Sequence, residues 1–114
     1  MRFQKFKKFK KFGTATTKFK NVPIVIDGFR FDSKLEGRYY QQLKIRQKAN
    51  DIKYFLRQVS IHLTGNIRYV VDFVIFENDN SVRYIDCKGF ETPVFLLKKK
   101  LVEAEYPIHI EVVK

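Results

Sequence analysis

Beyond the first twenty residues, hydrophobic and polar positions follow periods that predict short strands and two helices. The stretch "VPIVIDGFRF" predicts two strand segments around Asp27-Gly28, a dipeptide that is common in hairpin turns. In "DSKLEGRYYQQLKIRQKAN", Leu35, Tyr39 and Leu43 recur every four residues and predict the buried stripe of a helix. A hairpin followed by a helix is therefore expected at the start of a folded domain that covers residues 21–114.

Both predicted helices have sequence signals at their first residues. Ser33 and Glu36 have the spacing of a capping box, in which the serine caps the helix and the glutamate bonds back to it. Asn50 is expected to end this helix. Thr92-Pro93 suits the cap and the first turn of a second helix. The apolar face of the second helix is predicted to consist of Val94, Leu97, Leu101 and Ala104.

The segment between the two helices predicts a meander of three strands. The stretches "IKYFLRQVSIHLT", "IRYVVDFVIFE" and "SVRYIDCKG" are rich in β-branched and aromatic residues, and turn sequences at Gly65-Asn66 and at residues 78–80 separate them. A last strand, "IHIEVV", follows Pro107. The predicted fold class is α/β, with helices packed on a mixed sheet rather than a doubly wound parallel sheet.

The positive charge of the chain is concentrated at its N-terminus. The 114 residues carry a formal net charge of +11, and residues 1–20 contain eight Lys or Arg and no acid. Phenylalanine recurs every three residues from Phe3 to Phe12, a period of neither a helix nor a strand. The segment is interpreted either as a solvated tail or as an arm that binds nucleic acid, and a membrane-surface helix is less favoured. The arm lysines expected to contact DNA are Lys7, Lys8, Lys10 and Lys11.

The composition argues against several classes of protein. No apolar run reaches the ~18 residues of a membrane-spanning helix, and the first residues lack the apolar stretch of a secretory signal. The chain has one cysteine, so an internal disulfide cannot form. We therefore expect a reducing compartment, the cytoplasm, or the host cytoplasm if a phage encodes the chain. His62 and His109 have no ligand residues at zinc spacing and are interpreted as ordinary strand residues.

Two aspartates are predicted to face each other across the hairpin that turns at residues 78–80. With the turn centred on Asp79, Asp72 lies opposite Asp86, and their Cβ atoms are expected ~4.5–5.5 Å apart. Two carboxylates at that distance repel each other unless a positive group lies between them. Lys88, on the same strand face as Asp86, is one candidate, and a divalent cation with oxygen ligands is a better one.

The other face of the same two strands is predicted to lie in the core. Val71, Phe73 and Ile75 on one strand, and Ile85 and Cys87 on the next, alternate with the two acids. A change of register by one residue would turn the second aspartate towards this face. The two acids would then be unrelated surface residues.

The pattern of Glu36 on a helix, then Asp72, then Asp86-Cys87-Lys88 resembles the PD-(D/E)xK nuclease superfamily, whose core runs α-β-β-β-α-β. The stretches "FDSKLEGRYY", "VDFVIF", "DCKGFET" and "KKKL…YP" look most like small phage-type endonucleases related to Holliday-junction resolvases. The likeness implies a restriction-endonuclease-like core over about residues 24–114, after a basic N-terminal arm. Two positions depart from the motif, since Val71 replaces the nominal proline and the last acid is an aspartate.

This resemblance also implies a catalytic site and its partners. Asp72 and Asp86 would bind Mg²⁺ or Mn²⁺, Glu36 would complete or support the metal site, and Lys88 would be the motif lysine. The substrate would be branched DNA, and a two-fold homodimer would suit a junction with two strands to cut. No membrane partner is expected. Further contacts to the DNA backbone are expected from Lys98, Lys99, Arg38 and Thr92.

Two other functions stay open on the sequence alone. One is a nucleic-acid-binding module that keeps the fold without catalysis, although acids that face phosphates do not help a binding protein. The other is a protein-interaction factor, for instance a small phage regulator of host replication, with the arm as its ligand.

Overall fold

The computed structural model describes residues 22–114, so the N-terminal arm with Lys7, Lys8, Lys10 and Lys11 lies outside the described residues. The described part consists of a small hairpin, a four-stranded mixed sheet and two helices. In chain order the elements are β1 (Ile24–Ile26), β2 (Phe29–Phe31), α1 (Lys34–Lys48), β3 (Ile52–Leu63), β4 (Ile67–Glu77), β5 (Val82–Cys87), α2 (Pro93–Glu105) and β6 (Ile110–Val113). The predicted α/β class with a mixed sheet is confirmed.

The sheet has the strand order β3-β4-β5-β6. The first three strands form the predicted antiparallel meander, and β6 joins β5 in parallel after the α2 crossover. Phe73 pairs with Ile85 and Phe76 pairs with Val82, which is the register expected from a turn centred on Asp79. The predicted register is therefore confirmed.

The hairpin of β1 and β2 is fixed to the beginning of α1. Asp27 and Gly28 both have positive φ angles, 54° and 82°, as a tight hairpin turn between short strands requires. The Tyr40 hydroxyl of α1 donates a hydrogen bond to Asp27 Oδ2 at 2.8 Å. The hairpin approaches the helix so closely that a Cβ atom at Gly37 would overlap the side chain of Ile24. The glycine thus lets the hairpin pack beside the first turn of α1.

The predicted ends of both helices are confirmed. Ser33 Oγ accepts a hydrogen bond from Glu36 N at 3.2 Å, and Thr92 Oγ1 accepts one from Phe95 N at 3.1 Å. These bonds satisfy amides that have no partner within the helix. Asn50 follows the end of α1 with a φ of 63°, the left-handed conformation that stops a helix.

The prediction for the apolar face of α2 is wrong for Leu97 and Ala104, whereas Leu101 packs against the hydrophobic core as predicted. Leu97 is 58% exposed and Ala104 is also exposed, whereas Phe95 and Val102 are buried two turns apart. The helix begins with a run of four apolar residues, "VFLL", which supplies more than one possible stripe. The structure buries the largest of these side chains, the phenylalanine. Lys98, one turn after Phe95, therefore lies towards the packed side of the helix.

The sheet has a hydrophobic core on each face. The core that packs against α1 contains Phe31, Tyr40, Leu43, Ile52, Phe73, Ile75, Ile85 and Cys87. The core that packs against α2 contains Leu63, Tyr69, Val71, Val74, Phe95, Val102 and Ile110. Among the residues described, no helix is long and apolar enough to cross a membrane.

The regular alternation of side chains between the two cores is interrupted in β3 and β4, so that residues two positions apart face different cores. Val71 belongs to the α2 core although Phe73, two residues later, belongs to the α1 core. The prediction that Val71 shares a core face with Phe73 is therefore wrong. On β3, Arg57 stacks on Phe31 at 4.4 Å on the α1 side, and Val59 packs against the α2 core. Between them Gln58 has a φ of 50°, a left-handed residue inside a strand, which is where the strand turns over.

Candidate functional site

Where the β4–β5 pairing ends, the carboxylates of Asp72 and Asp86 each accept a hydrogen bond from a backbone amide of the neighbouring strand. Asp86 Oδ1 accepts a hydrogen bond from Asp72 N at 3.1 Å. Asp72 Oδ2 accepts one from Cys87 N at 2.9 Å. The predicted meeting of the two acids is thus present, and the carboxylates replace the ordinary ladder of backbone hydrogen bonds at this point.

Asp86 is a buried acid without a full set of partners. Its side chain is 1% exposed, and its Oδ2 atom has no hydrogen-bond partner among the described residues. Burial raises the pKa of Asp86 to about 6, although the Lys88 ammonium and the amide of Asp72 lower it in part. Burial also raises the pKa of Asp72, against the hydrogen bond from Cys87 and the charge of Lys88. For each carboxylate, the effect of burial therefore outweighs the compensation from hydrogen bonds and from Lys88.

Glu36 joins this pair through a third side chain. It lies in the first turn of α1, is 5% exposed, and accepts a hydrogen bond at Oε2 from Gln58 Nε2 at 3.0 Å. The same Nε2 atom donates to Asp72 Oδ1 at 3.3 Å. Burial, and next the charge of Asp72, raise the pKa of Glu36 to about 7. The amide of Gln58 thus links the helix acid to the sheet acids.

Lys88 reaches the site from the end of β5. Its backbone N donates to Val113 O at 2.9 Å, which holds the residue against β6. Its Nζ lies 5.0 Å from the centre of the Phe95 ring, in the first turn of α2. Its charge lowers the pKa of both Asp72 and Asp86, so the ammonium acts on both carboxylates.

The donor set of the site consists of carboxylate oxygens. Within residues 22–114 no group of three or more acidic, histidine or cysteine side chains is already arranged to hold a metal ion. The acids instead meet in pairs, Asp72 with Asp86 directly and Asp72 with Glu36 through the Gln58 amide. The unpartnered Oδ2 of Asp86 and the raised pKa of each acid fit a small hard cation, which oxygen ligands prefer.

The residues expected to contact DNA on the folded part lie on the two helices or cap one of them. Arg38 is exposed on α1, and Thr92 caps α2. Lys99 forms an ion pair with Glu103 at 3.2 Å. Lys98 Nζ lies 3.4 Å from Arg68 O, and burial lowers the pKa of Lys98. DNA contact by these four residues stays a prediction.

A comparison with protein families places the sequence among relatives. The family described as "Protein of unknown function (DUF1064)" matches residues 16–113. The chain belongs to the DUF1064 family. No curated protein matches the chain. The DUF1064 range contains every acid of the site and Lys88, whereas Lys7, Lys8, Lys10 and Lys11 precede it.

Gln58 is the site residue that the sequence reasoning missed in this DUF1064 protein. A signal for it exists in the turn at Gly65, because a register centred there pairs Leu63 with Ile67 and places residue 58 opposite Asp72. Nothing in the sequence predicts its left-handed backbone, because the strand-like alternation of "FLRQVSIHL" continues through residue 58.

Proposed function

We propose that this DUF1064 protein is a metal-dependent DNA endonuclease with a restriction-endonuclease-like core. The observation that supports this most is the meeting of Asp72 with Asp86, whose buried Oδ2 has no partner among the described residues. A buried acid of raised pKa next to another acid destabilises a fold unless a ligand compensates it. The element order from α1 to β6 and the D-x-K spacing of Asp86 and Lys88 support the same proposal.

Each site residue has a role in phosphodiester hydrolysis. Asp72 and Asp86 would hold a Mg²⁺ or Mn²⁺ ion through their carboxylate oxygens, and Glu36 would complete or support this ligand set. When bound, the ion would supply a water of lowered pKa and neutralise charge on the phosphate. Lys88 donates a hydrogen bond to the attacking water and stabilises negative charge on the phosphate in the transition state. The compact ammonium of lysine suits both tasks.

The substrate that the charge distribution favours is DNA. The N-terminal segment has eight Lys or Arg without an acid, and phosphates are the partners that such a segment attracts. Exposed Arg38, the α2 cap Thr92, and Lys98 and Lys99 of α2 extend the proposed contacts on the folded part. We propose branched DNA as the preferred form and a two-fold homodimer as the active species, because a junction presents two equivalent strands.

A cleavage assay with matched variants tests this function. The protein is incubated with a four-way junction and with linear duplex DNA of the same sequence, in Mg²⁺ and in EDTA. We expect cleavage in Mg²⁺ only, with a preference for the junction. Asp86→Asn should abolish cleavage, while Asp51→Asn, at an exposed acid after α1, should leave it unchanged.

Retention of DNA without cleavage in any divalent metal would contradict the proposal and favour a binding module. Equal cleavage by wild type and by Asp86→Asn would point to a contaminating nuclease. Circular dichroism of each variant confirms that the chain has folded.

A further inference from the structure

Gln58 has a backbone conformation that a strand does not normally contain. Its φ of 50° lies in the left-handed region, in the middle of the twelve-residue strand β3. The other described residues with positive φ that are not glycine are Asp27, Asn50, Asn66 and Asn80. All four are aspartate or asparagine outside the strands, where short polar side chains tolerate this conformation. For glutamine the conformation is strained and costs free energy.

The packing of the Gln58 side chain does not account for this cost. The residue is exposed and belongs to neither hydrophobic core. Its contacts are polar, since Nε2 donates to Glu36 Oε2 at 3.0 Å and to Asp72 Oδ1 at 3.3 Å. The left-handed backbone therefore directs a neutral hydrogen-bond donor to the space between two acids that repel each other.

We propose that Gln58 is a positioning residue that holds the Glu36 carboxylate beside Asp72 before a cation binds. This inference rests on the proposed function and adds a residue to its site. Glu36 comes from α1 and Asp72 from the sheet, so the carboxylates belong to separate elements and the hydrogen bonds from Gln58 connect them. Without the amide, repulsion turns the glutamate away from the aspartate, and the cation must reverse this movement.

A purely structural role is the alternative that the test must separate. Residue 58 is also where β3 exchanges faces, with Arg57 on the α1 side and Val59 on the α2 side. Glycine adopts a positive φ without strain, so Gln58→Gly keeps this turn of the strand and removes only the side chain. Asn66→Gly is the matched control, because it makes the same kind of change at a φ of 61° in the β3–β4 turn.

The first measurement is binding of Mn²⁺ alone, by calorimetry, to the full chain. We expect Gln58→Gly to weaken the Mn²⁺ affinity about tenfold, which is the lower end of the loss that is typical when a residue that orients a metal ligand is mutated. Asn66→Gly should bind as wild type does, and both variants should keep a melting temperature in EDTA within a few degrees of wild type. In the cleavage assay, Gln58→Gly should need more metal for half-maximal rate yet approach the wild-type rate at saturation.

The second measurement needs no metal. In EDTA, the side-chain amide protons of Gln58 should show nuclear Overhauser contacts to the Glu36 side chain, in contrast to the exposed glutamines Gln41 and Gln47 on α1. Amide signals averaged like those of Gln41 and Gln47 would overturn the inference. Unchanged Mn²⁺ affinity in Gln58→Gly would also overturn it, and would leave the proposed function intact if wild type binds Mn²⁺ and cleaves DNA. Failure of wild type in both assays would instead refute the proposed function and the inference with it.

Discussion

Two groups of acids lie on the same sheet and differ in what surrounds them. Towards the β4–β5 turn, Arg83 of β5 donates to Glu111 at 2.7 Å and to Glu77 at 3.3 Å, and Arg46 of α1 lies 3.4 Å from Glu77. The hydrogen bond from Arg83 lowers the pKa of Glu111. We call this group the arginine network. Each acid in it faces a guanidinium, so the group resembles an ordinary stabilising ion-pair cluster.

The second group is the acid site of Glu36, Asp72 and Asp86, at the other end of the β4–β5 pairing. Here burial dominates, and the pKa of each of the three acids is raised. The sheet and α1 thus carry one set of acids with guanidinium partners and one set without enough positive charge. Uncompensated acids are therefore a local property of the acid site rather than of the whole sheet, and a cation would complete this set.

After loss of the acids themselves, the largest effect should come from Lys88, the lysine beside the acid site. Lys88→Met removes the ammonium but keeps an apolar stem that can contact Phe95. We expect the cleavage rate at saturating Mg²⁺ to fall about 10²–10³-fold, as for loss of other groups that stabilise transition-state charge. Calorimetry should show Mn²⁺ binding as tight as in wild type or tighter, since a nearby cation is gone. A weakened Mn²⁺ affinity would instead show that Lys88 helps to maintain the shape of the metal site.

Metal binding should stabilise the fold through the acid site alone. An ion that binds only the folded state, at a Mg²⁺ concentration of 100 times Kd, adds about 2.7 kcal/mol to the free energy of unfolding. This raises the melting temperature of a domain of this size by roughly 10 °C or more. Thermal scans at pH 8 with Mg²⁺ and with EDTA measure this shift. Glu111→Gln, in the arginine network, should keep the shift, and Asp86→Asn should lose it. A similar shift in both variants would refute a site-specific ion.

The pH dependence of stability should separate the two groups as well. Glu36 titrates near 4.5 in the unfolded chain and at about 7 in the fold, so between these values the unfolded state binds fewer protons. Its contribution to stability is therefore lost as pH rises through this window. In EDTA, the melting temperature of Glu36→Gln minus that of wild type should increase from pH 4.5 to 7. A difference that stays constant over this range would contradict the raised pKa.

The smallest effect should come from breaking the arginine network. Arg83→Met leaves Glu77 and Glu111 without a shared partner, but these groups are partly exposed and solvent screens them. We expect a loss of about 1 kcal/mol, or roughly 4–8 °C in melting temperature. Mn²⁺ affinity should not change. A change in affinity would show that the two groups are coupled through the sheet.

The sequence was sufficient to predict the register that forms the acid site. A short turn centred on Asp79 fixes the pairing of its flanking strands, and alternation then decides which side chains meet. This is why the meeting of Asp72 and Asp86 could be predicted without any structure. The caps at Ser33 and Thr92 were equally predictable, because each depends on side chains within one turn.

Other features depended on contacts that no local pattern encodes. The choice of Phe95 over Leu97 for the packed face of α2 depends on which side chain fits the sheet. The face exchange that moves Val71 to the α2 core arises at Gln58, where the sequence continues to alternate like a regular strand. The proposed link between Glu36 and Asp72 was missed for the same reason.

The burial of Cys87 has a practical consequence for work on this protein. It is the only cysteine of the chain, and its thiol, at the last residue of β5, lies in the α1 core with a pKa raised by burial to about 12. The thiolate is the nucleophile that attacks an alkylating reagent, and little of it is present at neutral pH, so the native protein should react very slowly. Any reaction then requires β5 to separate from its neighbours, which makes the rate of alkylation a gauge of how often this strand opens.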